Sequence, residues 1–223
     1  MPVDKWDGEL ISAAEFDRLE DLYRPLGDAV RGLIDATVRT GADEATIAAA
    51  AARVRAVTEM LQPLKADGWP QIRHAETGRP ILFTNPAAGG RNPIAPPMVI
   101  HYDADGGCWS DFTLGAPYEG PPGMVHGGIS ALVLDHLLGE ASSGGLTKPR
   151  FTGTITLRYL RGTALGPVHA EARIDRIEGH KTYARGFLAD AQGPTVEAEG
   201  VFIMPAWARD GGGERSDSGV AAG

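Results

Sequence analysis

Residues 127–139, GGISALVLDHLLG, are the segment that most constrains the fold. If a helix begins near Gly127 and Gly128, apolar side chains cover most of its circumference, and such a helix must be buried in a protein core. Its remaining face carries small residues at the helical repeat, and Asp135 lies among them. Burying an unpaired carboxylate is costly. Asp135 therefore either has a structural partner, such as a backbone donor or an arginine, or takes part in chemistry at a cleft.

Alternating apolar and polar residues follow in four stretches separated by Gly or Pro turns: RFTGTITLRYLRG, GPVHAEARIDRIEG, HKTYARGFLADAQG and PTVEAEGVFIMPAW. This pattern is typical of an antiparallel meander. In the first stretch, strict alternation predicts one face of Phe151, Gly153, Ile155, Leu157 and Tyr159, and an opposite face of Thr152, Thr154, Thr156 and Arg158. A buried helix lying on such a sheet gives an α+β fold.

The N-terminal part of the chain has helical rather than strand periodicity. Residues 12–64 predict two helices, the first opened by a capping box of Ser12 and Glu15 and kinked or split at Pro25. The second helix should pack against another helix, because its apolar residues form a narrow seam with heptad spacing. That seam consists of Ile47, Ala50, Val54, Val57, Leu61 and Leu64.

These patterns divide the chain into four parts. We predict a helical extension over 1–70, a connecting loop region rich in Pro, Gly and Asn over 71–97, and the α+β domain over 98–207. Residues 208–223 are a Gly- and Ser-rich tail that we expect to be disordered.

The composition excludes several classes of function. The chain has 21 Lys and Arg against 29 Asp and Glu, a net charge of −8, which disfavours binding to nucleic acid. Cys108 is the only cysteine, so no intramolecular disulfide can form. No signal peptide and no apolar run long enough to cross a membrane are evident. We therefore expect a cytoplasmic protein without a membrane partner.

The start of the apolar helix offers its own chemistry. Tandem glycines leave backbone N–H groups unpaired where the helix dipole favours negative charge, as an oxyanion site requires. His126 adds a polar group directly before them, although a lone histidine is more often a structural hydrogen-bonding residue.

The segment GMVHGGISALVLDHLLG resembles the signature of hotdog-fold acyl-CoA thioesterases, specifically the group that includes the phenylacetate-pathway enzymes. That group carries His-Gly-Gly with an Asp nine residues after the His, as His126 and Asp135 are here. The resemblance covers about half the chain, from NPIAPPMVIHYDA to VFIMPAW, although the Pro that often follows Tyr-Leu is replaced by RGTALG. It implies a hotdog fold, a long helix wrapped by an antiparallel sheet. It also implies a homodimer or dimer of dimers, with active sites at the subunit interface.

Roles for individual residues follow from this resemblance. Asp135 would be the general base or nucleophile, and the Gly128 N–H, with Gly127, would polarise the thioester carbonyl. His126 would hold the thioester end, and Thr152 from the facing subunit would orient the attacking water. Val125 and Arg158 are further candidates for substrate binding. Candidate cations for the phosphates of coenzyme A are Lys148, Arg150, Arg158 and Arg161, each of which could equally be a solvated surface charge.

Other chemistries have little support in the sequence. Ser130 does not lie in a G-x-S-x-G motif, the six histidines and one cysteine show no metal-ligand spacing, and no phosphate-binding loop is present. Two alternatives stay open: a hotdog hydratase or dehydratase acting on acyl thioesters, and a noncatalytic acyl-CoA-binding protein. We predict hydrolysis of an acyl-CoA thioester to the free acid and CoA, without metal or redox cofactor.

Overall fold

The computed structural model describes residues 8–65 and 71–209. The helices are α1 (Ala13–Arg39), α2 (Glu44–Leu61), α3 (Gly127–Ser143) and α4 (Ala206–Arg209). The strands are β1 (Glu9–Ile11), β2 (Ile72–His74), β3 (His101–Tyr102), β4 (Cys108–Leu114), β5 (Phe151–Tyr159), β6 (Gly166–Glu178), β7 (Lys181–Asp190) and β8 (Gly193–Ile203). The α+β prediction is confirmed.

A six-stranded antiparallel sheet packs against α3 and forms the core with it. Its order is β3-β4-β6-β7-β8-β5, and β1 and β2 form a separate parallel pair. The predicted four-strand meander is correct for β6, β7 and β8 but wrong for β5, which pairs with β8 at the edge of the sheet. After α3 the chain forms β5 at that edge and then crosses the sheet to reach β6. The neighbours of β6 are β4 and β7 rather than β5.

A β-bulge interrupts β5 near its start. Thr152 pairs with Phe202 and Thr154 with Val201, so Gly153 is the extra residue. The bulge shifts the alternation by one position, which moves Thr152 to the same face as Ile155 and Leu157, the face that packs on α3. The prediction that Thr152 lies opposite this face was therefore wrong.

The core is formed by α3 and the inner face of the sheet. Val133, Leu134, Leu137 and Leu138 are fully buried on α3 and belong to one apolar cluster with β4, β6, β7 and β8. The helix begins at Gly127, where the sequence placed it, and ends at Gly144 in the left-handed conformation. Asp135 and the small residues beside it are only partly buried.

The two predicted N-terminal helices are present, with differences. Ser12 caps α1 as expected, but the helix is continuous through Pro25 rather than split there. Gly27 lets α1 pack closely against the loop that contains Gly90, because a Cβ on Gly27 would lie 2.8 Å from the Gly90 carbonyl oxygen. No residue of α2 is buried, so its heptad seam does not pack against another helix within the described residues.

The four-part division of the chain stays a prediction. Of the tail predicted for 208–223, residues 208 and 209 form the end of α4, and the rest lies outside the described residues. Among the residues that the structure describes, no helix is long and apolar enough to cross a membrane.

Candidate functional site

The N-terminus of α3 is capped by a side chain that the sequence had marked for another role. His126 is the N-cap residue, and its Nδ1 accepts a hydrogen bond of 3.0 Å from the Gly128 N–H. An imidazole that accepts through Nδ1 is neutral and carries its proton on Nε2. The Gly128 N–H, which we predicted would polarise a carbonyl, is therefore occupied in this structure.

Gly127 is the first residue of α3 and is fixed by an aromatic side chain from β5. The Tyr159 hydroxyl donates a hydrogen bond of 2.9 Å to the Gly127 carbonyl oxygen, and a Cβ on Gly127 would lie 3.3 Å from the ring carbon Cε1. Within the described residues, no hydrogen-bond acceptor is found for the Gly127 N–H. At this position the N–H points out of the helix along its axis. Gly127 thus keeps the free donor that Gly128 lacks.

Asp135 is held by Thr152, as the bulge in β5 allows. The Thr152 hydroxyl donates a hydrogen bond of 2.9 Å to Asp135 Oδ1. Both residues belong to one chain, so this contact needs no facing subunit, and the expectation that Thr152 of a facing subunit orients the attacking water stays a prediction. The contact forms because β5 follows α3 in sequence and runs beside it. Asp135 Oδ2 has no hydrogen-bond partner in the part of the chain that the structure describes.

The Gly127 N–H and the Asp135 carboxylate are far apart along α3. Asp135 follows Gly127 by eight residues, which corresponds to about 12 Å along the axis. The Gly127 N–H also points away from Asp135, toward the N-terminal end. One thioester carbonyl cannot contact both groups of the same chain.

The fold can be compared with a solved structure. The crystal structure of a thioesterase superfamily protein is 32% identical in sequence, with a TM-score of 0.73, and the match covers 81% of this chain and 94% of that one. The chain belongs to the thioesterase superfamily.

Further similarities to known proteins cover shorter stretches. The family model described as thioesterase superfamily matches residues 122–197, which include α3 and most of the sheet. Acyl-coenzyme A thioesterase THEM4 from Bos taurus is 30% identical over 93 residues, which span 40% of this chain but only 38% of that protein. Zebrafish thioesterase superfamily member 2 is 12% identical, with a TM-score of 0.48 over 55% of this chain and 91% of that one.

The cations predicted for CoA phosphates in this thioesterase-superfamily protein mostly have protein partners. Arg158 pairs with Glu197 on β8, and Arg161 makes two hydrogen bonds to Asp190, of 2.6 and 2.8 Å. The Arg161 guanidinium holds the pKa of the Asp190 carboxyl well below its usual range. Arg150 donates to the His180 carbonyl oxygen, and Lys148 is exposed. The substrate role of Arg158 stays a prediction.

Val125 was also predicted to contact substrate, and that role stays a prediction. Its side chain is buried and belongs to the same apolar cluster as Leu134. Its N–H donates to the Thr163 carbonyl oxygen, which fixes the chain just before α3. The structure therefore assigns Val125 to positioning the helix start.

A second polar cluster on α3 was missed by the sequence reasoning. Glu140 is buried and accepts a hydrogen bond of 2.9 Å from the Tyr102 hydroxyl. Burial raises the pKa of Glu140 to about 7 and lowers the pKa of His136 to about 4. His136 Nε2 lies 3.4 Å from Glu140 Oε1, but the imidazole is neutral near pH 7 and this nitrogen has no hydrogen bond, so the contact is not an ion pair.

A signal for this cluster was available in the sequence. His136 and Glu140 are four residues apart, a spacing that brings polar side chains together on one helix face. That face differs from the one bearing Asp135. Tyr159, by contrast, could not be linked to Gly127 from the sequence, because the contact depends on the path of β5.

Proposed function

We propose that this protein hydrolyses acyl-CoA thioesters to the free carboxylic acid and CoA. The observation that carries the proposal is the state of Asp135. Its Oδ1 is fixed by Thr152, and its Oδ2 lies on the small-residue face of α3 without a partner among the described residues. Membership of the thioesterase superfamily supports the reaction class, and the matched bovine relative is named for acyl-coenzyme A.

In the proposed mechanism, Asp135 acts as the general base. It takes a proton from water while the water oxygen attacks the carbonyl carbon, and negative charge develops on the carbonyl oxygen. The C–S bond then breaks, and the proton returns to the leaving thiolate. The products are the carboxylic acid and the thiol of CoA. Direct attack by Asp135 through an acyl-enzyme anhydride is the other form of this mechanism.

The developing oxyanion needs a donor, and Gly127 fits this role better than Gly128. The Gly127 N–H has no acceptor among the described residues and sits at the positive end of the helix dipole. His126 supports it indirectly, because its cap on Gly128 stabilises the first turn of α3. Its Nε2–H remains available to the substrate.

The separation of about 12 Å between Gly127 and Asp135 leads us to infer a two-subunit site. In a symmetric dimer, Gly127 of one chain and Asp135 of the other would flank one thioester, and the symmetry would produce two such sites. The homodimer and the dimer of dimers expected from the sequence both satisfy this requirement.

The test is an assay of a panel of aliphatic and aromatic acyl-CoA substrates with the wild type, Asp135→Asn and Asp135→Ala. Asp175→Asn, an exposed carboxylate on β6, is the matched control. We expect kcat to fall about 100-fold or more in both Asp135 variants and to be unchanged in the control. Unchanged turnover would exclude Asp135 from the chemistry. Tight binding of acyl-CoA without turnover by the wild type would support the noncatalytic alternative.

A further inference from the structure

A cavity whose lining excludes Thr152 and Gly127 is separate from the proposed catalytic site. It has a volume of about 470 Å³ and lies between α1, the segment 74–100, Tyr102 and Glu140. Asp135, Thr152, Gly127 and His126 are not among its lining residues. A cavity of this size holds a small organic molecule.

The walls of this cavity are largely apolar. Phe16 of α1 stacks on Phe83 with 5.8 Å between ring centroids, and Met98 and Ile100 lie on the same lining. Phe16 and Ile100 are partly exposed, whereas Phe83 and Met98 are buried, with 2% and 7% of their surface exposed. The walls therefore suit the hydrocarbon part of a ligand.

One cation lining the cavity lacks the acceptor that its neighbours have. Arg24 pairs with Glu20 and Arg31 pairs with Asp28, each within α1. Arg79 makes no side-chain hydrogen bond and no ion pair with any described residue, although it is half-buried. A guanidinium has five N–H donors, and a partly buried one without an acceptor is unusual.

Arg79 is nevertheless held firmly in place. Its guanidinium carbon lies 3.5 Å from the centroid of the Tyr102 ring. On another side it touches Gly145, where a Cβ would lie 2.6 Å from Arg79 Nε. Neither contact is a hydrogen bond that satisfies an N–H of Arg79. The side chain is thus positioned beside the cavity with its hydrogen-bonding capacity unused.

The charges on the lining favour a ligand with a single negative charge. Three carboxylates, Glu20, Asp28 and Glu140, face three guanidiniums. Glu140 is the buried member and is partly protonated near neutral pH because burial raises its pKa to about 7. The positive charge of Arg79 acts on Glu140 and lowers its pKa, so Arg79 is in excess on the lining only while Glu140 is protonated. A dianion such as a phosphate ester would leave uncompensated negative charge beside Glu20 and Asp28.

We propose that this cavity binds an apolar monocarboxylic acid, with its carboxylate on the Arg79 guanidinium and its hydrocarbon part against Phe16, Phe83 and Met98. Arginine binds carboxylates through two parallel hydrogen bonds, a geometry that the unused N–H groups permit. This assignment holds whether or not the protein is a hydrolase, because the cavity shares no residue with the proposed catalytic site.

The experiment is calorimetric titration of the full chain at pH 7 with octanoate and benzoate, and with the neutral analogues octanamide and benzamide. We expect saturable binding of at least one acid and weaker binding of its amide. Arg79→Met should weaken binding about tenfold or more, since it removes the charge but keeps a long stem. Arg18→Met, an α1 arginine outside the cavity lining, is the matched control and should bind like the wild type.

A second variant keeps the test decisive if Arg79→Met is unstable. Ala88→Leu adds volume to the cavity wall and leaves Arg79 in place, so it should also weaken binding of the acid. Circular dichroism of each variant verifies folding. Absence of saturable binding by the wild type up to millimolar concentrations, equal affinity for acid and amide, or unchanged affinity in both variants would overturn the proposal.

Discussion

Thr152 and Asp135 are joined by a hydrogen bond of 2.9 Å that exists only because β5 is bulged at Gly153. With strict alternation, the Thr152 hydroxyl would lie on the face of the sheet away from α3. The bulge therefore determines on which face of β5 the Thr152 hydroxyl lies, and so whether it can donate a hydrogen bond to Asp135, the candidate base. Bulges often re-aim a side chain beside a functional site in this way.

Replacing Thr152 tests this relationship. Thr152→Val removes the donor and keeps the shape, so Asp135 should lose a fixed orientation. A hydrogen bond to a charged group contributes about 1.5–3 kcal/mol, and we expect kcat to fall roughly 10- to 100-fold with little change in KM. Thr152→Ser keeps the hydroxyl and should retain most of the activity. Steady-state kinetics on an acyl-CoA substrate would measure both, and equal losses in Val and Ser would argue against the hydrogen bond.

The sequence was informative about the helix and less so about its surroundings. The apolar run with Asp135 and the tandem glycines predicted the position of α3 and the partly open carboxylate, since both depend on helical periodicity alone. The sequence placed Thr152 in the site as the group that orients the attacking water, but it did not predict the hydrogen bond to Asp135, and it put Thr152 on the wrong face of β5. Neither could be predicted from the pattern, because the alternation of residue types in a sequence does not show where a bulge shifts the two faces of a strand.

Gly127 offers a substitution that removes a single N–H. Proline is tolerated at the first position of a helix, and His126 before it has φ −62° and ψ 131°, which suits a residue preceding proline. Gly127→Pro should lower kcat about 100- to 1,000-fold if this N–H stabilises the oxyanion. Gly127→Ala is the matched control, since it adds the same Cβ near Tyr159 and keeps the N–H. Similar rates in the two variants would assign the effect to crowding against Tyr159.

Mixing two inactive variants tests the two-subunit site. Chains with Asp135→Asn keep Gly127, and chains with Gly127→Pro keep Asp135, so a heterodimer would contain one intact pair. Each mixed dimer has one of its two sites working, so its activity should return to about half that of the wild type. Co-expression with two affinity tags and assay of the doubly purified species would measure this. A mixed dimer as inactive as its parents would indicate that each site belongs to one chain.

The fold, like the site, could be predicted only in part from the sequence. Alternation identified the strands, but their order depends on where the chain re-enters the sheet after α3, and β5 was misplaced for that reason. The heptad seam of α2 was read correctly as helical, yet its residues are exposed in the described chain. Periodicity gives the face that an element would bury, and it does not identify the surface that covers that face.

Glu140 predicts a dependence of stability on pH. Its pKa of about 7 in the folded protein lies above that of an unfolded glutamate, so the folded state binds this proton more tightly. The free energy of unfolding should therefore fall as pH rises from about 4.5 to about 7, by roughly 3 kcal/mol at most. Glu140→Gln keeps an acceptor for the Tyr102 hydroxyl and removes the charge. It should match the wild type near pH 4.5 and be more stable at pH 8.

Urea denaturation of both proteins between pH 4.5 and pH 8 would measure this difference. His136, whose pKa is lowered to about 4 by burial, is common to both proteins and cancels in the comparison. Glu59→Gln, on the exposed surface of α2, is the control and should follow the wild type at every pH. If the curves of wild type and Glu140→Gln run parallel, the pKa of Glu140 is the same in the folded and the unfolded protein. The charge balance of the cavity would then lack the neutral carboxyl that leaves Arg79 in excess.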